Sequence, residues 1–324
     1  AAHQAEVKAI AESAQAPSFD ITIAALEQSG KALKRVDGVF NQLSSANTDE
    51  ALQAVELEMA PIVTRHWNDI FLNPRLFSRI DTLFRTRDSL GLTPEQLRVL
   101  ERYHLDFVRS GAALTADERL RYATITERLA VLGTQFGQNV LNDERDSVFA
   151  LSETEVAGLS DSAKAAAAQI ARDRKINAPY AMTASRSSVE PVLQSGTDRG
   201  TREKAWRAFV KRGANGNAND NSKVIAETVA LRAELAKLLG YPTYAHYKLS
   251  DTMAKTPEAA RGLLEEVWGH GRRKALEDRD ALQALADGES AGLTIEPWDW
   301  RFYAEKLRLA RYDFDANELK PYFE

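Results

Sequence analysis

Five histidines are the first residues to test for chemistry: His3, His66, His104, His246 and His270. A helical zinc site places two histidines four residues apart with a glutamate beside the first, and no pair here has that spacing. There is no cysteine, which excludes disulfides, thiolate metal sites and cysteine nucleophiles. No serine is flagged as a nucleophile by a nearby base. Paired carboxylates occur at Glu265-Glu266, Asp278 with Asp280, and Asp313 with Asp315, and in a chain that is 27% charged they read as solvated helix faces. His66 and His104 lie on apolar stripes and read as packing histidines. His246, within Tyr244-Ala245-His246-Tyr247, also reads as packing. His3 and His270 read as exposed. The residues alone thus present no catalytic, cofactor-binding or metal-binding set.

Helical periodicity dominates the elements that would position any site. Thr93-Pro94-Glu95-Gln96 sets a cap, a first-turn proline and a capping-box glutamine in order. Behind it Leu97, Leu100, His104, Phe107, Val108 and Gly111 share one face. Thr115-Ala116-Asp117-Glu118 predicts a second capping box and a helix through Leu129 to about Phe136. Leu52, Val55, Met59, Ile62, Val63 and His66 form a further stripe, and Leu76, Phe77, Ile80, Leu83 and Phe84 a shorter one after Pro74. Thr256-Pro257-Glu258 opens a helix carrying Leu263, Leu264, Val267 and Trp268. Trp300, Tyr303, Leu307 and Ala310 share the face of another, at spacings of three and four. Only 176–193 breaks the pattern, where short β-compatible runs and prolines predict a small β region. Residues 213–221 (GANGNANDN) read as a polar turn and not a phosphate loop, because the GxxxxGK spacing is missing.

The expected fold class is therefore mainly α. Two regions are expected, 1–150 as a helical lobe and 151–324 as a second helical region with small strands. With 324 residues, 44% hydrophobic content and a net charge of −5, the composition is that of a folded globular chain. Basic residues are matched by acidic neighbours, so no nucleic-acid surface is expected, and no apolar run approaches the roughly 20 residues that span a bilayer, so no membrane partner is expected. No internal repeat of 20–50 residues is visible. Ala1–Ala11 read as helix interior with no initiating Met, and Pro321-Tyr322-Phe323-Glu324 follow directly on a patterned aromatic segment. Both ends read as cuts, so a portion of a longer protein is expected.

The segment Glu296-Pro297-Trp298-Asp299-Trp300-Arg301-Phe302-Tyr303-Ala304-Glu305-Lys306 resembles the thimet oligopeptidase and oligopeptidase A family of zinc metallopeptidases, on the side of its bacterial peptidyl-dipeptidase branch. Leu238-Leu239-Gly240-Tyr241, Asp251-Thr252-Met253-Ala254-Lys255-Thr256-Pro257-Glu258, residues 101–111 and residues 132–141 are similar to the same branch. The resemblance implies a two-lobed, helix-rich peptidase that encloses a deep channel and cleaves short peptides. It implies one zinc held by an HExxH helix and a following glutamate, in a catalytic lobe expected beyond Glu324. This chain then corresponds to the N-terminal portion and forms one channel wall. Its partners would be short peptides and that catalytic lobe, and a cytoplasmic location is expected, with the periplasm left open. Asp106, Arg109 and Tyr303 are the candidates for channel-facing side chains. The alternative is a non-catalytic helical binding module, either a degenerate relative or half of a split enzyme.

Overall fold

In the computed structural model, residues 2–289, 292–312 and 322 are described. The carboxylates Asp313 and Asp315 lie outside them. The chain is mainly α and divides into two compact units, residues 1–138 with 223–257 and residues 139–222 with 258–324.

The first unit contains α1 (Ala2–Ala11), a π-helical turn (Phe19–Ala24), α2 (Ala25–Gln28), α3 (Lys31–Ala46), α4 (Glu50–Phe71), α5 (Pro74–Arg85) and α6 (Pro94–Arg109). The helix α7 (Ala116–Asp146) begins in it. Its main core gathers Val7, Ile23, Leu26, Ile70, Leu76, Ile80, Leu83, Leu100 and Phe107, with Leu76, Ile80 and Leu83 at spacings of four and three along α5. The capping boxes form as the sequence predicts. Thr93 Oγ1 accepts from the Gln96 amide at 3.2 Å while Gln96 accepts from the Thr93 amide at 3.0 Å. Glu118 likewise accepts from the Thr115 amide at 2.9 Å. The predicted end of α7 near Phe136 falls ten residues short of its observed end at Asp146. Its last stretch carries Asn139 and Asp143, one helical turn apart, and both are buried. A polar buried face leaves no hydrophobic period to read.

The second unit contains β1 (Val148–Leu151), α8 (Asp161–Asp173), β2 (Tyr180–Thr183), α9 (Arg186–Ser195) and α10 (Arg199–Val210). The strands pair antiparallel, with Val148 opposite Thr183 and Leu151 opposite Tyr180. The small β region is therefore present at 180–183, but its partner strand lies outside the predicted window. Val189–Leu193 are helical. Val189, Val192 and Leu193 stand at i, i+3 and i+4 and are buried; about 1.5–3 kcal/mol for each exceeds the roughly 3 kcal/mol that a proline such as Pro191 costs inside a helix. Gly158 has φ +85°, and a Cβ there would meet the Ser195 carbonyl at 2.3 Å. Only glycine fits this crossing.

Residues 223–257 return to the first unit through α11 (Ser222–Leu238) and α12 (Tyr244–Leu249). Leu235 packs there with Tyr122 and Ile125. The helix α13 (Pro257–Gly288) and α14 (Pro297–Tyr312) complete the second unit, where Leu282, Ala286, Phe302 and Tyr303 form a small core.

Candidate functional site

Each unit contains an arginine–carboxylate centre in which more than two charged groups meet. In the first unit, α6 presents Arg102, Asp106 and Arg109 at helical spacing. Arg102 bridges two carboxylates, with Nη2 at 2.6 Å from Asp106 and Nη1 at 2.7 Å from Asp251. The Arg102 hydrogen bond is the main reason that Asp251 titrates below the usual carboxylate range. Two turns beyond Arg102 on α6, Arg109 donates to the Tyr247 carbonyl at 3.0 Å and to the Ser250 hydroxyl. Its guanidinium lies 4.7 Å from the centre of the Tyr247 ring, a cation–π contact. Together these bonds fix α12 and the loop that follows it against α6. The loop carries Met253, which is fully exposed, and Lys255 at φ +62°. A left-handed lysine costs roughly 1–2 kcal/mol, so the anchoring arginines hold a loop that would not adopt this path alone.

In the second unit the centre is Asp299, with its side chain out of contact with water. It accepts from Arg199 Nη2 at 2.8 Å, from Arg202 Nη2 at 2.9 Å and from the Glu296 amide at 3.2 Å. Burial pushes this carboxyl up, but the bonds from Arg199, Arg202 and the Glu296 amide outweigh it and hold it below its ordinary value. Arg202 is itself 2% exposed. It also donates to the Gly196 carbonyl at 2.8 Å and stacks 4.1 Å from the Phe302 ring centre. The result ties α10 to the start of α14. Beside it runs a groove of about 760 Å³ lined by Arg186, Glu190, Trp206, Phe209, Glu296, Trp300 and Arg301 among others.

The structure places Asp106 and Arg109 in the first centre, where both keep partial exposure. Tyr303 sits in the second unit, 3% exposed in the core with Phe302 and Leu282. Sequence reasoning missed Asp299, Arg199 and Arg202. An Asp in the first turn of a helix is ordinarily a solvated cap. The nearest signal for Asp299 is the pair Arg199 and Arg202, two basic residues three apart on one face of α10.

The histidines are all satisfied locally. His3 corrects the exposed reading: it is 8% exposed, with Nε2 at 3.1 Å from Ser29 Oγ and Nδ1 at 2.9 Å from His66 Nε2. Ser29 Oγ donates to the Leu26 carbonyl at 2.7 Å, so it accepts from His3 Nε2–H, and His66 Nε2–H donates to His3 Nδ1. Burial first, and His66 second, lower the pKa of His3. His104 stacks on Phe84 with ring centres 3.8 Å apart and meets Asp81 at 3.2 Å. Among the described residues, no group of three or more His, Cys, Asp or Glu side chains could hold a metal ion. The zinc that the resemblance implies therefore has no fitting donor set among them. No helix among the described residues is long and apolar enough to cross a membrane.

Comparison with known proteins adds an independent observation. Residues 192–324 match the model of peptidase family M3. Over 322 residues the chain is 37% identical to dipeptidyl carboxypeptidase of Escherichia coli, covering 99% of this chain and 47% of that protein. It is 29% identical to oligopeptidase A of Haemophilus influenzae, covering 92% of this chain and 44% of the relative. A probable cytosolic oligopeptidase A of Arabidopsis thaliana is 29% identical over 96% of this chain. The chain spans about half the length of the curated relatives it matches. Residues 192–324 thus carry the peptidase family M3 match, and the chain as a whole is similar to dipeptidyl carboxypeptidases and oligopeptidases A.

Proposed function

We propose that this chain is the N-terminal portion of a zinc-dependent oligopeptidase of the peptidyl-dipeptidase kind, which hydrolyses short peptides. On this reading it forms one wall of the substrate channel and restricts substrate size, while zinc and the water it activates belong to another part of the longer protein. The observation that carries the reading is the 37% identity to a dipeptidyl carboxypeptidase across 99% of the chain. Asp106 and Arg109 enter it as channel-facing side chains, with Arg109 anchoring the loop before α13, and Tyr303 enters it as a residue supporting the wall from within. A cytoplasmic location is part of the same proposal.

The test is substrate size. The longer protein, expressed whole, is expected to release dipeptides from short unstructured peptides and to leave a stably folded protein intact at the same concentration. Comparable cleavage of the folded protein contradicts a size-restricting wall.

A second reading, a non-catalytic helical docking module, is favoured by α3 and α4. The helix α3 buries no side chain, and Val36, Val39 and Leu43 on it are 67%, 57% and 52% exposed. Apolar surface of this kind ordinarily has a partner. Hydrolysis by the longer protein that survives deletion of this chain would favour the module.

A further inference from the structure

The helix α13 spans 32 residues, and its two halves live in different environments. The C-terminal half is packed: Leu282 and Ala286 are buried against Phe302 and Tyr303. In the N-terminal half every residue from 261 to 275 is exposed. That half nevertheless carries an apolar stripe. Leu263, Leu264, Val267 and Trp268 stand at spacings of three and four, and are 64%, 67%, 61% and 67% exposed. A helix this bare must be stable on its own or be held by something else, and its sequence argues against the first. Gly262, Gly269 and Gly271 each cost about 1 kcal/mol relative to alanine in an exposed helix interior. None of the three meets any atom within 4 Å of where a Cβ would stand, and none needs a positive φ. Among the described residues nothing explains the stripe, or Gly271, which shares its face of the helix. A closely approaching partner explains both, since glycine allows close backbone approach and the stripe supplies the buried apolar area.

We propose that residues 261–275 are the docking surface for the remainder of the longer protein, an inference that rests on the reading under Proposed function. Two observations choose this occupant over a second copy of the chain. The helix lies inside the segment 192–324 that matches the peptidase family M3 model, so it belongs to the family domain. The chain also spans only 47% of its dipeptidyl carboxypeptidase relative, which leaves a comparable length of polypeptide to cover it. The covering surface is expected to be apolar and closely apposed, with its own side chains filling the space above Gly271.

The absence of cysteine from these 324 residues allows a test in which labelling is read on the peptide that carries the introduced thiol. Leu264→Cys places a thiol on the stripe, and Glu266→Cys places one on the opposite side of the same helix. Reaction with a soluble thiol reagent is measured in the 324-residue chain and in the longer protein, with circular dichroism confirming that each variant is folded. Leu264→Cys is expected to react at the rate of a free thiol in the chain and about 100-fold more slowly in the longer protein, and to be slowed more than Glu266→Cys. Equal rates in the two proteins, or equal slowing of both thiols, would overturn the proposal. So would protection in the isolated chain that rises with its concentration, which would assign the surface to a second copy. Dipeptide release, measured on the same longer protein, separates the two claims. Hydrolysis without protection sinks the docking surface alone, and protection without hydrolysis sinks the peptidase reading.

Discussion

The two arginine–carboxylate centres are assembled from the same side chains and differ in their contact with water. Around Asp299, the carboxylate and Arg202 are 0% and 2% exposed, and the bonds run between two helices of one core. Around Arg102 and Arg109 the groups keep contact with solvent, with Arg102 and the Asp106 side chain 45% and 36% exposed. Their bonds reach out to hold a loop with an exposed methionine and a left-handed lysine. The buried centre is thus built to fix helix positions. The open one positions a surface that something else can touch. In a chain proposed to wall a channel, the open centre is the better place to look for contact with peptide.

Removing the carboxylate of the buried centre would break this comparison most severely. Asp299→Ala strands Arg202 in the core without its counter-ion, and breaking a buried pair on one side costs about 3–5 kcal/mol. Urea unfolding of the 324-residue chain should show that loss, and a change below about 1 kcal/mol would place the centre in effect at the surface. The sign with pH follows from the lowered pKa of Asp299. The stability it contributes is present above the unfolded carboxylate value of about 3.9 and is lost as pH falls through the lower folded value. Asp299→Asn should therefore flatten that part of the acid limb.

The open centre is expected to give a smaller, local effect. Arg109→Ala removes the bonds to the Tyr247 carbonyl and Ser250 and the cation–π contact, at a cost of about 1–2 kcal/mol. Hydrogen exchange should accelerate at residues 250–256 and change little at 94–100 in α6. Acceleration spread evenly over the whole first unit would mean that Arg109 acts as a core residue, and the contrast between the centres would fail.

Much of the fold was legible because helix starts are written in side chains that satisfy their own backbone. Thr93 with Gln96, Thr115 with Glu118 and the proline after Thr256 all mark real helix starts. What escaped was held by polar atoms across long separations. Asp143 accepts from the Gly213 amide at 2.8 Å and from Asn217 at 2.7 Å, so the polar turn at 213–221 folds around a carboxylate about 70 residues earlier. Asp299 meets Arg199 across 100 residues. Such pairings leave no local period, because either partner alone reads as an ordinary solvated charge. β1 escaped for a related reason: four residues beyond the end of a long helix carry too short an alternation to read. The candidate site was legible only in part. Asp106 and Arg109 are legible, but Asp251, which meets Arg102, and Tyr247 and Ser250, which meet Arg109, lie in a segment that only the fold returns to the first unit.

The central claim is that this chain works as part of a longer zinc peptidase and not as an enzyme in its own right. Zinc content by elemental analysis, paired with chelator-sensitive release of dipeptides, tests it most directly when applied to the 324-residue chain and to the longer protein side by side. The account predicts about one zinc and metal-dependent release for the longer protein, and neither for the chain alone. Stoichiometric zinc with chelator-sensitive dipeptide release by the isolated chain would contradict it.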